Sequence, residues 1–285
     1  MTTDLDACVV CGGDLVPAGV QDGFELVSCK TCGMLMRRSL PEPADLPEIY
    51  APEYYEHRPE QPVRGYADYL GDAERHRETA RRRLALLARF APRRGKLLDV
   101  GAAAGFFVDE ARRAGWDAEG VDVAEHMVEW GRRELGAPLH LGNVDAVDGD
   151  GSFAVVTMWD YIEHALDPRA DLARAHDLLA ADGVLALSTG DLGSLVARVS
   201  RTRWHLLTPR HHNFFFSKRT LVDLLGRTGF EVLSVGHPGA RYSLAHIAHK
   251  GLPGPVAHRL ASSRVGRYSV PLNLFDIVTV VARRG

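Results

Sequence analysis

The sequence predicts an α/β fold built on a parallel sheet, with a small metal-binding segment ahead of it. Three observations carry this. Apolar runs of strand length alternate with helical patterns from about residue 96 to residue 230. The first of these, "LLDVGAAAGFF" (97–107), ends in an acid and turns through small residues into a helix, which is how a cradle for a nucleotide-like ligand begins. All four cysteines lie in the first 32 residues, as two Cys-x2-Cys pairs.

The chain has 285 residues, room for one large domain and a small one. It is 46% hydrophobic and 25% charged, ordinary for a globular protein. No apolar run reaches membrane-spanning length, and "MTTDLDAC" lacks the pattern of a secretory signal, so a cytoplasmic location is expected. The net charge of −3 conceals an asymmetry: from residue 193 onward there are 14 Lys/Arg and three Asp/Glu, a net +11, against −14 in the remainder. This fits either an anionic partner for the C-terminal third or two faces that neutralise each other.

The first segment, 1–40, holds Cys8, Cys11, Cys29 and Cys32. Two Cys-x2-Cys pairs at this separation suit a four-thiolate zinc site, with Gly12 and Gly33 relieving crowding after the second thiolate of each pair. Four thiolates leave no open position, so the zinc is expected to be structural, and so short a segment is expected to draw its folding energy from the metal. Residues 41–92 read as a Pro- and acid-rich linker followed by a helix, with Leu84, Leu87 and Phe90 toward a core and the neighbouring arginines on a solvated face. The main domain then runs over 93–285, with lid or insertion segments at 190–216 and 237–270.

Within the cradle, a dinucleotide pattern G-x-G-x-x-G aligned on Gly101 meets Ala103 and Phe106 at its later positions, a poor match. Asp99 ahead of the turn disfavours a pyrophosphate and suits a cationic ligand. S-adenosylmethionine carries a sulfonium and an ammonium group and no phosphate. A second strand ends at Asp122, followed by Val123, where an acid can bind both ribose hydroxyls. A third ends near Asn143 and Val144, placed for an adenine edge, and a fourth ends at Asp160.

Together "LLDVGAAAGFF", "GVDVAEHM", "GNVDAVDGDGSFAVVTMWDYIEHALDP" and "LLAADGVLALSTG" resemble the successive motifs of class I S-adenosylmethionine-dependent methyltransferases, from about Lys96 to Phe230. The resemblance implies a Rossmann-like, seven-stranded sheet with the last strand antiparallel; "GFEVLSVGH" and "NLFDIVTVVARR" supply strands six and seven. It implies a donor site of Asp99, Gly101, Ala103, Gly105, Phe106, Asp122, Val123, Asn143, Val144 and Asp160. Two positions depart from the family: Ala103 replaces a glycine and Asn143 an acid.

Methyl transfer needs an aligned acceptor and, for a hydroxyl, removal of its proton. Tyr161, Glu163 and His164 follow the fourth strand at the mouth beside the donor, with His164 the first choice of base at an ordinary imidazole pKa near 6.5. The stretch "RWHLLTPRHHNFFFSKRTL" resembles a lid found in part of the family, matched at Trp204, Pro209, His212, Phe216 and Ser217; His212 is the competing base and Ser217 a helix cap. Arg201, Arg203, Arg210 and Arg241 are candidates for a phosphate. The expected acceptor is a small, anionic compound methylated on a hydroxyl or an activated carbon, such as a sugar, glycolipid or natural-product intermediate. Methylation of ribosomal RNA and a non-catalytic zinc-containing binding protein are the alternatives.

Overall fold

A computed structural model describes residues 2–56, 66, 68–149, 151–238, 240–243, 263 and 269–285. Its centre is a sheet of seven strands: β1 (Lys96–Val100), β2 (Asp117–Asp122), β3 (Leu139–Leu141), β4 (Phe153–Trp159), β5 (Leu179–Gly190), β6 (Phe230–Gly236) and β7 (Ile277–Arg284). Their spatial order is β3-β2-β1-β4-β5-β7-β6. Strands β3 to β5 run parallel across that order, while β7 pairs antiparallel with both β5 and β6. The expected architecture, including the inserted antiparallel last strand, is the observed one.

Both faces of the sheet are covered, which explains why its strands read as near-continuous apolar runs. Alternate residues serve opposite faces. Leu98, Val100, Val156, Met158, Leu185 and Leu187 join one core cluster; Leu97, Val155, Val184 and Ala186 join the other. The second cluster is roofed by α1 (Ala73–Leu87) and α2 (Phe106–Arg113) through Leu84, Leu87, Phe107 and Val108, and by α3 (Glu125–Leu135) through Val128. The first carries α4 (Pro168–Leu178) and, beyond a short α5 (Leu195–Ser200), α6 (Lys218–Arg227). The Ser217 hydroxyl accepts from the Thr220 amide and caps α6, as its position before the helix predicts.

The N-terminal segment forms an antiparallel meander of strands at Leu15–Gln21, Phe24–Cys29 and Leu35–Arg37. Its fourth strand comes from far along the chain: Phe214–Phe215 pairs with Leu35–Met36. Val10, Met34 and Met36 are fully buried in the same core cluster as Phe214, Phe216 and Leu221. The segment therefore has no separate core but shares that of the main sheet. The three phenylalanines of "NFFF" are core residues, and none lines the cavity described below. Most of the expected 237–270 insertion lies outside the described residues.

Candidate active site at the strand tips

The tips of β1, β2 and β4, and the turn after β3, open on one cavity of about 1520 Å³. Ligand pockets for one small molecule fall in the range of about 300–1,000 Å³, so this space suits two. Of the candidate donor residues, Asp99, Gly101, Ala103, Phe106, Asp122, Val123, Asn143 and Asp160 line it. Gly105 and Val144 are not among its lining residues. Gly105 begins α2 at φ +78, and Val144 is fully buried.

The turn after β1 runs left-handed at Gly101 (φ +77), Ala103 (φ +47) and Gly105. A Cβ on Gly101 would lie 2.8 Å from the Tyr161 ring, so that position excludes a side chain. Ala103 holds its turn despite the backbone cost of a left-handed alanine, about 1–2 kcal/mol. Its amide donates to Asp122 Oδ2 at 2.7 Å, while Oδ1 takes the Ala124 amide at 2.8 Å. These bonds aim the carboxylate into the cavity, and each oxygen keeps a lone pair for a ligand hydroxyl. The Asn143 side chain accepts from the Asp145 amide and caps the 3₁₀ turn that follows.

Asp99 is buried, and its Oδ1 accepts from the Thr157 hydroxyl at 2.6 Å. Burial pushes its carboxyl up to about 7, with the Thr157 bond pulling the other way. A buried acid poised there gains most from a cationic ligand. Asp160 accepts from Arg83 at 2.6 Å and from Ser188 at 2.8 Å. Arg83 also lies over the Trp159 ring.

On the far side of the mouth, the Tyr161 hydroxyl donates to Asp171 at 2.8 Å. Burial holds the Tyr161 phenol well above its usual pKa, so this residue is a packing and anchoring group. His164 lines the cavity. Its Nδ1 lies 2.9 Å from the His211 carbonyl and 3.2 Å from the Tyr50 hydroxyl. The carbonyl can only accept, so Nδ1 carries the proton and Nε2 the lone pair. Burial, and then the neighbouring His212, hold His164 well below 6.5. This corrects the expectation of an ordinary imidazole. His212 lies beside it, ring centroids 4.7 Å apart, with its own Nδ1 2.9 Å from the Leu206 carbonyl. Burial lowers His212 to about 4. Glu163 is buried, and burial raises it to about 8. Neither Glu163 nor His212 lines the cavity, so both stand behind His164.

Sequence reasoning missed one wall. Tyr50, Tyr54, Tyr55, Tyr66 and Tyr69, from the stretch read as a linker, line the cavity in edge-to-face and stacked contact. Five of the chain's eight tyrosines lie between residues 50 and 69, and that clustering was the available signal. His76 stacks on Phe106 and on Tyr69 beside them. Two arginines of α1 leave the solvated face expected of them, while Arg75, Arg81 and Arg82 keep it. Arg83 lines the cavity, and Arg77 is largely buried against Asp109 and Glu110. Arg201, Arg203 and Arg210 are exposed and are not among the lining residues; the side chain of Arg241 lies outside the described residues.

The four cysteines converge as expected. Their sulfurs lie within 4.8 Å of one another, with Cys8–Cys32 at 3.5 Å and Cys11–Cys29 at 3.4 Å. The thiols are free, and amides of Thr31 and Cys32 point at Cys29 Sγ. Those amides help bring Cys29 down to about 6, whereas burial pushes Cys8 and Cys32 up. Tetrahedral zinc with bonds of about 2.3 Å spaces its sulfurs about 3.8 Å apart, so the donor set fits such an ion.

Residues 72–235 match the family model described as a methyltransferase domain. The ubiquinone biosynthesis O-methyltransferase of Xanthomonas axonopodis pv. citri is 32% identical over 109 residues, covering 36% of this chain and 46% of that protein. The chain thus matches less than half the length of that curated relative. Two solved structures share the fold. One is the Burkholderia thailandensis 1,6-didemethyltoxoflavin-N1-methyltransferase with 1,6-didemethyltoxoflavin and S-adenosylhomocysteine bound (TM-score 0.52, 16% identity, 94% of this chain and 98% of that one). The other is the Synechocystis magnesium protoporphyrin IX methyltransferase with S-adenosylhomocysteine (TM-score 0.52, 17% identity, 84% and 94%). With the strand order, the strand-tip cavity and a match over more than half its residues, the chain belongs to the methyltransferase domain family, on the class I fold.

Proposed function

We propose that the protein transfers a methyl group from S-adenosylmethionine to a hydroxyl of a small acceptor. The observation that carries this is the buried pair Asp99 and Asp122, which face one cavity from adjacent strand tips. Asp99 supplies the counter-charge for the donor's cationic groups, and Asp122 supplies lone pairs for its ribose hydroxyls. The acceptor hydroxyl meets His164, and the tyrosine wall gives a ring-shaped acceptor, sugar or aromatic, a face to pack on. Arg83 and its neighbours Arg75 and Arg82, also along the cavity, suit an anionic group on that acceptor. No helix among the described residues is long and apolar enough to cross a membrane. The four-cysteine site holds a structural zinc, which suits the reducing conditions of the cytoplasm.

Turnover tests this directly. Wild-type protein incubated with methyl-labelled S-adenosylmethionine and a panel of hydroxyl acceptors is expected to label at least one sugar, glycolipid or phenolic compound. His164→Ala is expected to lower that rate by about 10²–10⁴-fold with donor binding nearly intact. Labelling of RNA alone would overturn the acceptor class, and His164→Ala at full rate would overturn the role of His164.

A further inference from the structure

Glu163, His164 and His212 bring three side chains with metal-ligating atoms together beside the cavity wall. Their ligand atoms lie within 4.8 Å of one another. Each imidazole has its Nδ1 committed to a backbone carbonyl, at 2.9 Å in both cases, so each carries its lone pair on Nε2. This is the arrangement by which metal-binding histidines are oriented. The carboxylate oxygen Oε2 of Glu163 is buried and has no hydrogen-bond partner. A buried, unpartnered carboxyl oxygen beside two imidazoles calls for a positive charge, supplied by a proton or a cation.

Hydrogen bonds fix the backbone that carries Glu163 and His164. The amides of Asn213 and Phe214 donate to the Glu163 carbonyl, at 2.8 and 3.2 Å. The Asn213 side-chain amide donates to the carbonyls of His164 and Ala165, both at 3.0 Å. The loop after β4 and the segment carrying His212 are thereby stitched together, and the cluster does not depend on one mobile side chain.

We propose that this cluster is a binding site for a divalent first-row transition cation, held by Glu163, His164 and His212 and bordering the cavity at His164. Two imidazoles and one carboxylate suit a borderline ion in the range Mn²⁺ to Zn²⁺ better than Mg²⁺, which favours oxygen ligands. Bonds of about 2.0–2.2 Å hold such ligands roughly 3–3.6 Å apart, so the three close in by side-chain rotation.

The cation's task rests on the hydroxyl reading given above. The acceptor oxygen binds the cation and loses its proton to solvent; with the cation bound, His164 acts as its ligand rather than as the base, and the rate lost in His164→Ala is the loss of that ligand. Its electron pair forms a bond to the donor methyl carbon, and the carbon–sulfur bond breaks with its pair left on sulfur. The products are the methyl ether and S-adenosylhomocysteine, and no electrons are exchanged with the metal.

Mn²⁺ is the probe, because it discriminates against the thiolates of the cysteine site. The full chain, with its cysteine site loaded with zinc, is titrated with Mn²⁺, and free ion is counted by electron paramagnetic resonance without donor or acceptor. The expected result is one bound Mn²⁺ per chain, with affinity at least tenfold lower in Glu163→Gln and in His212→Ala. Thermal melts identify a variant that fails to fold, and the near-isosteric Glu163→Gln decides if His212→Ala does. No bound Mn²⁺, or binding unchanged in Glu163→Gln, overturns the site and leaves a shared proton as what neutralises the cluster. Binding with no methyl transfer to any hydroxyl upholds the site and overturns the hydroxyl reading instead.

Discussion

Asp99 shows how much one buried side chain decides. Its carboxyl titrates near 7 because burial penalises the charged form, and a cationic ligand reverses that penalty. S-adenosylmethionine affinity is therefore expected to fall by up to tenfold per unit as pH drops below 7, measured by calorimetry; a flat profile from pH 8 to 5.5 would remove Asp99 from the donor site. The same shift acts on folding with a definite sign. The folded state holds this proton more tightly than the unfolded chain, so Asp99's contribution to stability is greatest below pH 4 and declines as pH rises toward 7. Ala103 is the other telling residue. A left-handed alanine stands where the family places glycine, and Ala103→Gly is expected to raise stability by about 0.5–1 kcal/mol in urea unfolding, since the relieved strain exceeds the added chain entropy. A loss of stability would mean that the methyl group is needed for packing.

At the scale of elements, the N-terminal meander and the site are one piece of structure. The meander's fourth strand, Phe214–Phe215, directly follows His212 and Asn213. Arg37, on the adjoining strand, gives its backbone amide to the Asn213 carbonyl at 2.9 Å and its buried guanidinium to the Asn213 side chain at 3.4 Å. Asn213 in turn holds the loop of Glu163 and His164. Arg37→Ala is expected to cost about 1.5–3 kcal/mol of stability, the range for a hydrogen bond from a charged group, and to speed hydrogen exchange at Asn213 and Phe214. Unchanged exchange at these amides would show that the meander does not support the site. The cysteine cluster is tied in through the same core, so removing the proposed zinc is expected to raise exchange at Phe214 and Phe215 as well.

For the whole molecule, what could be read beforehand follows from the range of the interactions. Strand tips were legible because a parallel strand buried on both faces must be apolar and turns polar only at its end, as at Asp122 and within one residue of the end at Asp99 and Asp160. The convergence of the four cysteines was legible because two Cys-x2-Cys pairs keep a local spacing. The tyrosine wall was not. Tyr50 and Tyr66 join the cavity only through contacts made by the fold, and their surroundings are Pro- and acid-rich like a linker. Likewise Arg83 reads as one arginine among many on a helix until β4 places Asp160 against it. His164 looked like an ordinary imidazole because burial and a second histidine 48 residues on leave no local trace. All these parts converge on the claim that the strand tips hold S-adenosylmethionine. Calorimetric titration of wild-type and Asp122→Ala protein with that donor is its most direct test. The account predicts one site per chain, weakened by about 1.5–3 kcal/mol in the variant; no binding by the wild type, or equal affinity in both proteins, would contradict it.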